Sequence, residues 1–181
     1  PRGFRRAVYR RDGTERASPM ARNHKLDRID LRILSTLQLD GRIPNVKLAD
    51  AVGLTPSPCL ERLKRLEQAG YIRRYGAEID LARLGEHVTV FAQVTLRGHG
   101  RDSFTRFEKA IRAVPEIVEA HKMGGGFDYL LKFVCADIAS YQALSEKLIQ
   151  GRLAIGQYFS YVVIEPVKPF AGYPLDKLAK R

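Results

Sequence analysis

LTPSPCLERLKRLEQAGYIRRY, residues Leu54 to Tyr75, reads as a basic amphipathic helix running into a short arginine-bearing strand. Ser57 followed by Pro58 marks a helix start: the hydroxyl can accept from an early amide, and proline at the first helical position has no amide to leave unpaired. Gly70 supplies the stop. Cys59, Leu63 and Leu66 recur at i, i+4 and i+7 and share one buried stripe, whereas Glu61, Arg62, Lys64 and Arg65 spread over the remainder. Such a helix packs through one flank and leaves another to meet phosphate.

Upstream, Leu26, Ile29, Ile33 and Leu37 form a longer helical stripe that Asp27 is placed to cap. Asn45 is placed to cap a second, shorter helix carrying Leu48, Ala49 and Val52 up to Gly53. Gly53-Leu54-Thr55-Pro56 then has the length of the tight connection inside a helix-turn-helix, whose second helix enters the major groove of DNA. Ile72, Arg73 and Arg74 are expected to form a wing beside it.

Composition bounds the rest. A chain of 181 residues has room for two small domains. No apolar run approaches the roughly 20 residues that span a bilayer, and the arginine-rich start lacks the apolar centre of a secretory signal, so the expectation is a cytoplasmic protein without a membrane partner. Cys59 and Cys135 both sit in apolar patterns and read as small core residues. His24, His87, His99 and His121 have no ligand spacing, so neither a metal nor a cofactor is expected. Of the net charge of +11, residues 1–25 carry +6, residues 26–78 carry +2 and residues 79–181 carry +3. More than half of the charge therefore lies in residues 1–25, and the leading arm, residues 1–24, lacks periodicity and is expected to be mobile in isolation. It is either a nucleic-acid-binding tail or an extension upstream of a start at Met20.

From His87 the rhythm changes. Val88 to Arg97 alternates apolar with small or polar residues and reads as a strand ending at Gly98-His99-Gly100. A helix capped by Asp102 or Ser103 carries Phe104, Phe107 and Ile111 and stops before Pro115. Glu116 to Met123, a triple glycine at Gly124 to Gly126, and Phe127 to Ala136 read as a hairpin. A helix opened by Asp137 or Ser140 carries Leu144 and Leu148, and a last strand runs from about Gln157 to Val167. The expectation is an α+β chain: a winged helix-turn-helix over 25–79, a linker over 80–87, a ferredoxin-like βαββαβ domain over 88–168, and a tail over 169–181. One face of such a sheet is covered by helices, and an apolar bare face invites a second copy, which predicts a homodimer.

With this front and this rear, the chain resembles the leucine-responsive and asparagine-regulator (Lrp/AsnC) family of transcription factors from about Lys25 to Lys168. The resemblance rests on KLDRIDLRIL from Lys25, DGRIPNVKLADAVGLTPSPCLERLKRLEQAGYI from Asp40, and FDYLLK after the glycine turn. It implies DNA binding through the first domain, a homodimer assembling into a tetramer or octamer, and a small effector, usually an amino acid, held between the second domains of neighbouring subunits. Carried onto this sequence, the recognition helix falls on Ser57 to Gln68. Thr55, Ser57, Pro58, Glu61, Arg62, Lys64 and Arg65 are then expected to meet DNA. Arg62 is the choice for a guanine contact, and Lys64, Arg65, Arg73 and Arg74 are the choices for phosphate. The target is expected to be double-stranded DNA with an imperfect palindrome.

The effector site implied by the resemblance falls on Gly124, Gly125, Gly126, Asp128 and Tyr129. The family's turn reads glycine, aspartate, aromatic, aspartate, and here Gly126 stands at the first acidic position while Asp128 keeps the second. A carboxylate that could pair with an amino acid's ammonium is thus missing. RLAIGQ also precedes the last strand where many relatives have a proline-glycine turn. The three glycines alternatively serve only a turn that needs positive φ.

Three other functions compete with this one: an effector-independent architectural nucleic-acid binder, a small ferredoxin-like enzyme and an RNA-binding sheet. For the enzyme, Ser145 and Ser160 lack a nucleophile elbow, and the glycines do not open a helix as a phosphate loop must. An RNA-stacking sheet would need Tyr129, Phe133, Phe159 and Tyr161 on one face, without the expected aromatic signature.

Overall fold

The computed structural model describes residues 25–98, 100–151 and 153–179, so the basic arm and His99 lie outside the described residues. The chain divides into two compact units, one formed by residues up to Ile79 together with 168–181, the other by Asp80–Val167.

In the first unit, α1 (Arg28–Leu39), α2 (Asn45–Val52) and α3 (Pro56–Gln68) enclose Ile33, Leu48, Ala49, Val52, Cys59 and Leu66. Asp27 caps α1 as expected, accepting from the Asp30 amide at 2.8 Å, while the Asp30 carboxylate accepts from the Asp27 amide at 3.3 Å. This reciprocal box satisfies two amides that helix geometry orphans. Gly53 and Gly70 end α2 and α3 with φ of +75° and +77°. In each case the glycine amide and the next amide turn back onto the helix: Gly53 to Asp50 and Leu54 to Ala49, Gly70 to Glu67 and Tyr71 to Leu66. The left-handed setting is open to glycine without the Cβ penalty, which is why both helices stop there.

Three local expectations are corrected. Asn45 does not cap α2, since Pro44 occupies that position; its Nδ2 donates instead to the Pro56 carbonyl at 2.8 Å, tying α2 to the start of α3. The start of α3 is Thr55 followed by Pro56, not Ser57 and Pro58, because the earlier proline already fits the first helical position. Ile72, Arg73 and Arg74 form no strand, since the first unit's described residues contain no second strand to pair with.

The segment expected as a tail returns to α1. The Gln38 amide pairs with the Tyr173 backbone, its Oε1 accepting from the amide at 2.7 Å and its Nε2 donating to the carbonyl at 3.2 Å. Gly172 (φ +100°) lies so close to Gln38 that a Cβ there would sit 3.3 Å from the amide carbon. A short α6 (Leu175–Leu178) follows. Gln38 thus acts as a one-residue substitute for a neighbouring strand.

The second unit begins with a 3-10 turn at Leu81–Arg83 and continues as β1 (Val88–Leu96), α4 (Arg101–Arg112), β2 (Ile117–Lys122), β3 (Tyr129–Cys135), α5 (Ile138–Gln150) and β4 (Ile155–Val162). The antiparallel sheet has the order β2-β3-β1-β4. β1 and β3 alternate in burial, so Val90, Ala92, Val94, Leu96, Tyr129, Leu131, Phe133 and Cys135 point to one core with Phe107, Ile111, Tyr141 and Leu148 of the helices. Asp137 caps α5 as expected, but α4 starts at Arg101 after Gly100, which leaves Asp102 inside the first turn where the helix dipole favours its charge. β4 starts two residues earlier than expected and stops before Glu165-Pro166. Its register against β1 shifts between Thr95 and Leu96. There Ala154 takes φ +53°, and its carbonyl accepts from the Arg97 amide at 2.7 Å.

Two outcomes follow from this architecture. Ala154→Gly relieves a left-handed alanine, so it should raise stability by about 1 kcal/mol, read as a higher urea midpoint. Burial opposes ionisation of Asp27, but the Asp30 amide and the Arg62 guanidinium outweigh it and hold its carboxyl below the ordinary value. Its contribution is therefore complete above the unfolded-state value of about 4 and lost as pH falls through the lower folded value. Melting followed by circular dichroism should show stability dropping below about pH 4, with a shallower drop in Asp27→Asn.

Candidate nucleic-acid interface and effector turn

Along α3 the stripe formed by Cys59, Leu63 and Leu66 faces the core as expected, and Ser57, Pro58, Glu61, Lys64 and Arg65 are exposed. Thr55 is exposed at the helix start, and Arg73 and Arg74 are exposed on the extended segment beyond Gly70. Eight of the nine expected DNA-contacting residues therefore lie on the surface of one unit. The next turn is stapled by Tyr75, whose hydroxyl donates to Glu67 at 2.8 Å. Burial, followed by the adjacent carboxylate, pushes that phenol's pKa well up, so it remains a donor.

Arg62 is the exception. Its Nη1 donates to Asp27 Oδ2 at 2.5 Å and to Asp30 Oδ1 at 2.8 Å, so the guanidinium is drawn toward α1. The Asp30 side chain is wholly buried, whereas that of Arg62 is 25% exposed. In this arrangement Arg62 is engaged by α1: to reach a guanine it would have to give up its contacts with Asp27 and Asp30. Arg65 meets the same carboxylate more distantly, Nη2 to Asp30 Oδ1 at 3.3 Å, and keeps 45% of its side chain exposed. Sequence reasoning missed Asp30. The available signal was its place three residues after Asp27, the spacing of a capping box.

At the glycine turn, a Cβ on Gly124, Gly125 or Gly126 would meet no other group within 4 Å. Gly125 alone has a positive φ, +158°. Asp128 is drawn into the sheet: its amide donates to Val94, its carbonyl accepts from Met123, and its carboxylate accepts from the Leu96 amide at 2.8 Å. Tyr129 points to the opposite side and is 2% exposed. Its ring centroid lies 4.7 Å from that of Phe107, and its hydroxyl donates to Glu108 at 2.8 Å. In the protomer Tyr129 is therefore a core residue, because strand alternation sends it inward when Asp128 faces the turn.

The sheet's aromatics are divided in the same way. Tyr129 and Phe133 are buried under the helices, and Phe159 and Tyr161 are half-exposed on the open face, so the four cannot form one stacking platform. Ser145 donates to the Gln142 carbonyl and Ser160 pairs with the Tyr141 hydroxyl, so neither meets a base that would activate it. Cys59 and Cys135 are buried thiols in separate cores, and burial raises the pKa of each, as small apolar residues behave. No helix among the described residues is long and apolar enough to cross a membrane.

Comparison with known proteins matches two family domains along the chain. Residues 26–73 match a winged helix-turn-helix DNA-binding domain, and residues 89–172 match the Lrp/AsnC ligand binding domain. The chain is 44% identical over 156 residues to the transcriptional regulatory protein DoeX of Halomonas elongata, covering 86% of this chain and 99% of that protein. It is 43% identical over 143 residues to the leucine-responsive regulatory protein of Escherichia coli, covering 79% and 87% respectively. An AsnC family transcriptional regulator from Agrobacterium tumefaciens superposes with a TM-score of 0.79 at 35% identity, over 84% of this chain and 99% of that one. A transcriptional regulator from Neisseria meningitidis, solved as its L-Met complex, does so with a TM-score of 0.79 at 32% identity and the same coverage. These relatives regulate transcription and are not enzymes, and they match both units in order: the chain belongs to the Lrp/AsnC family of DNA-binding transcriptional regulators.

Proposed function

We propose that this regulator reads an imperfect palindrome as a homodimer, with α3 in the major groove, and that an amino acid bound in the second unit modulates it. The observation carrying the first part is the sorting of α3: apolar anchors on one flank, with Ser57, Pro58, Glu61, Lys64 and Arg65 exposed. Residues at the start of a recognition helix reach base edges and later ones meet backbone. Ser57 and Glu61 therefore take over the reading role expected of Arg62; a carboxylate at Glu61 can accept from the cytosine amino group. Thr55, Lys64, Arg65, Arg73 and Arg74 serve the phosphates.

Dimerisation is supported by the open face of the sheet. Phe159 and Tyr161 are each about half exposed there, with Phe91 and Leu130 beside them, more apolar surface than a lone protomer usually leaves uncovered. Further assembly to a tetramer or octamer follows the family resemblance. An amino-acid effector is supported by the L-Met complex of the Neisseria relative. The turn at Gly124 to Gly126 offers open backbone, while the Asp128 carboxylate already serves the Leu96 amide. The effector acts only through better binding to one assembly than to another, shifting the population between them.

Anisotropy titrations on operator and random duplexes should separate the roles on α3. Glu61→Ala is expected to cost about 1–3 kcal/mol on the operator and little on random DNA. Lys64→Ala should weaken both alike and lower the salt slope by about one; equal losses from Glu61→Ala on both duplexes would refute its reading role. For the effector, thermal shift and light scattering across a panel of amino acids should show a weak response to leucine in the natural chain. Gly126→Asp, which supplies a partner for the ammonium, should strengthen amino-acid binding at least severalfold, and tight leucine binding by the natural chain would overturn this reading of the turn.

A further inference from the structure

We propose that Asp30 is a positioning residue for DNA binding: its buried carboxylate, already neutralised by Arg62, holds Arg65 so that the rest of that guanidinium is aimed at a backbone phosphate. The inference rests on the reading of α3 as the DNA-contacting helix. Two arginines of α3 converge on one oxygen, Asp30 Oδ1, at 2.8 Å from Arg62 and 3.3 Å from Arg65. They are not equivalent. Arg62 is also paired with Asp27, and its side chain is only a quarter exposed, so it stays with α1. Arg65 touches Asp30 through a single nitrogen at the longer distance and leaves nearly half its side chain in solvent.

A guanidinium has five donors in a rigid plane, so anchoring one nitrogen orients the others. Because Arg62 keeps the short contact with Asp30, Arg65 can share its charge with a phosphate without stranding a buried anion. Arg65 also stands well along α3, on the order of 14 Å from its start at 1.5 Å per residue, where a recognition helix meets the groove's rim and not its base edges. Ordering the side chain before DNA arrives removes part of the entropic cost of the contact. The carboxylate acts without touching DNA, and Arg62 acts as the cation that lets it stay ionised beside a second arginine.

The test is a double-mutant cycle in the full chain, with Asp30→Asn, Arg65→Ala and the double variant titrated against a random-sequence duplex from about 50 to 200 mM salt. Arg65→Ala should weaken binding about three- to tenfold and reduce the salt slope by about one. Asp30→Asn should produce a similar loss in the natural background and none on top of Arg65→Ala. Arg62→Lys should lower the melting temperature and leave the salt slope unchanged. Arg65→Lys, which leaves the buried carboxylate in place, should keep the slope yet bind more weakly than the natural chain, because an ammonium is not oriented by one anchored nitrogen. Equal losses from Asp30→Asn in both backgrounds, natural affinity in Arg65→Lys, or a slope change in Arg62→Lys would each overturn the proposal. Should Asp30→Asn fail to fold, the Arg65→Lys comparison decides. If Lys64→Ala and Arg65→Ala both leave binding unchanged, the reading of α3 itself fails; if Lys64→Ala weakens binding while the cycle is additive, only the role of Asp30 falls.

Discussion

The first unit depends on one buried anion. Asp30 sits at the junction of α1 and α3 with no solvent access, where the helix cap and two arginines meet it. Removing one partner from such an arrangement costs about 3–5 kcal/mol, far more than a surface pair, because the remaining charge has no water to fall back on. The carboxylate also links two tasks that might have been separate: it closes the cap of α1 and fixes where the arginines of α3 lie.

A similar economy organises the turns around α3. Gly53 and Gly70 stop two helices by the same left-handed geometry, Pro56 starts the third, and Asn45 bridges the two helix ends with a side-chain amide. The helix is thereby held at both ends by backbone geometry and along its length by Cys59, Leu63 and Leu66, while Arg62 and Arg65 reach the buried Asp30. Gln38 performs a comparable substitution on the far side of α1, pairing with the backbone at Tyr173 so that the chain's last segment belongs to the first unit.

In the second unit the decisive constraint is strand alternation. β1 and β3 each send every second side chain into the helix-covered core, so adjacent residues have opposite fates. Asp128 is spent on the end of β1 and Tyr129 on the core beneath α4, which leaves the glycine backbone as the exposed part of the turn. The other face of the sheet keeps aromatic residues at its surface. The two faces therefore differ in chemistry, one covered by the chain's own helices and one carrying exposed aromatic side chains.

Much of this could be read from residues alone. The three helices of the first unit, the order of strands and helices in the second, the cap at Asp27 and the buried stripe of α3 all follow from local rules: periodicity, glycine and proline punctuation, and caps a few residues away. What could not be read is where long side chains end. The sequence shows Arg62, Lys64 and Arg65 as equivalent charges on one helix, and only the fold brings Asp30, some thirty residues earlier, beneath two of them. In the same way a segment of two arginines looks like a strand until no pairing partner is seen among its unit's described residues, and Tyr173 looks like a tail until Gln38 is found beside it. Local structure is decided by neighbours along the chain, whereas the partner of a charge or a backbone edge is decided by which elements are packed together, and that information exists only in three dimensions.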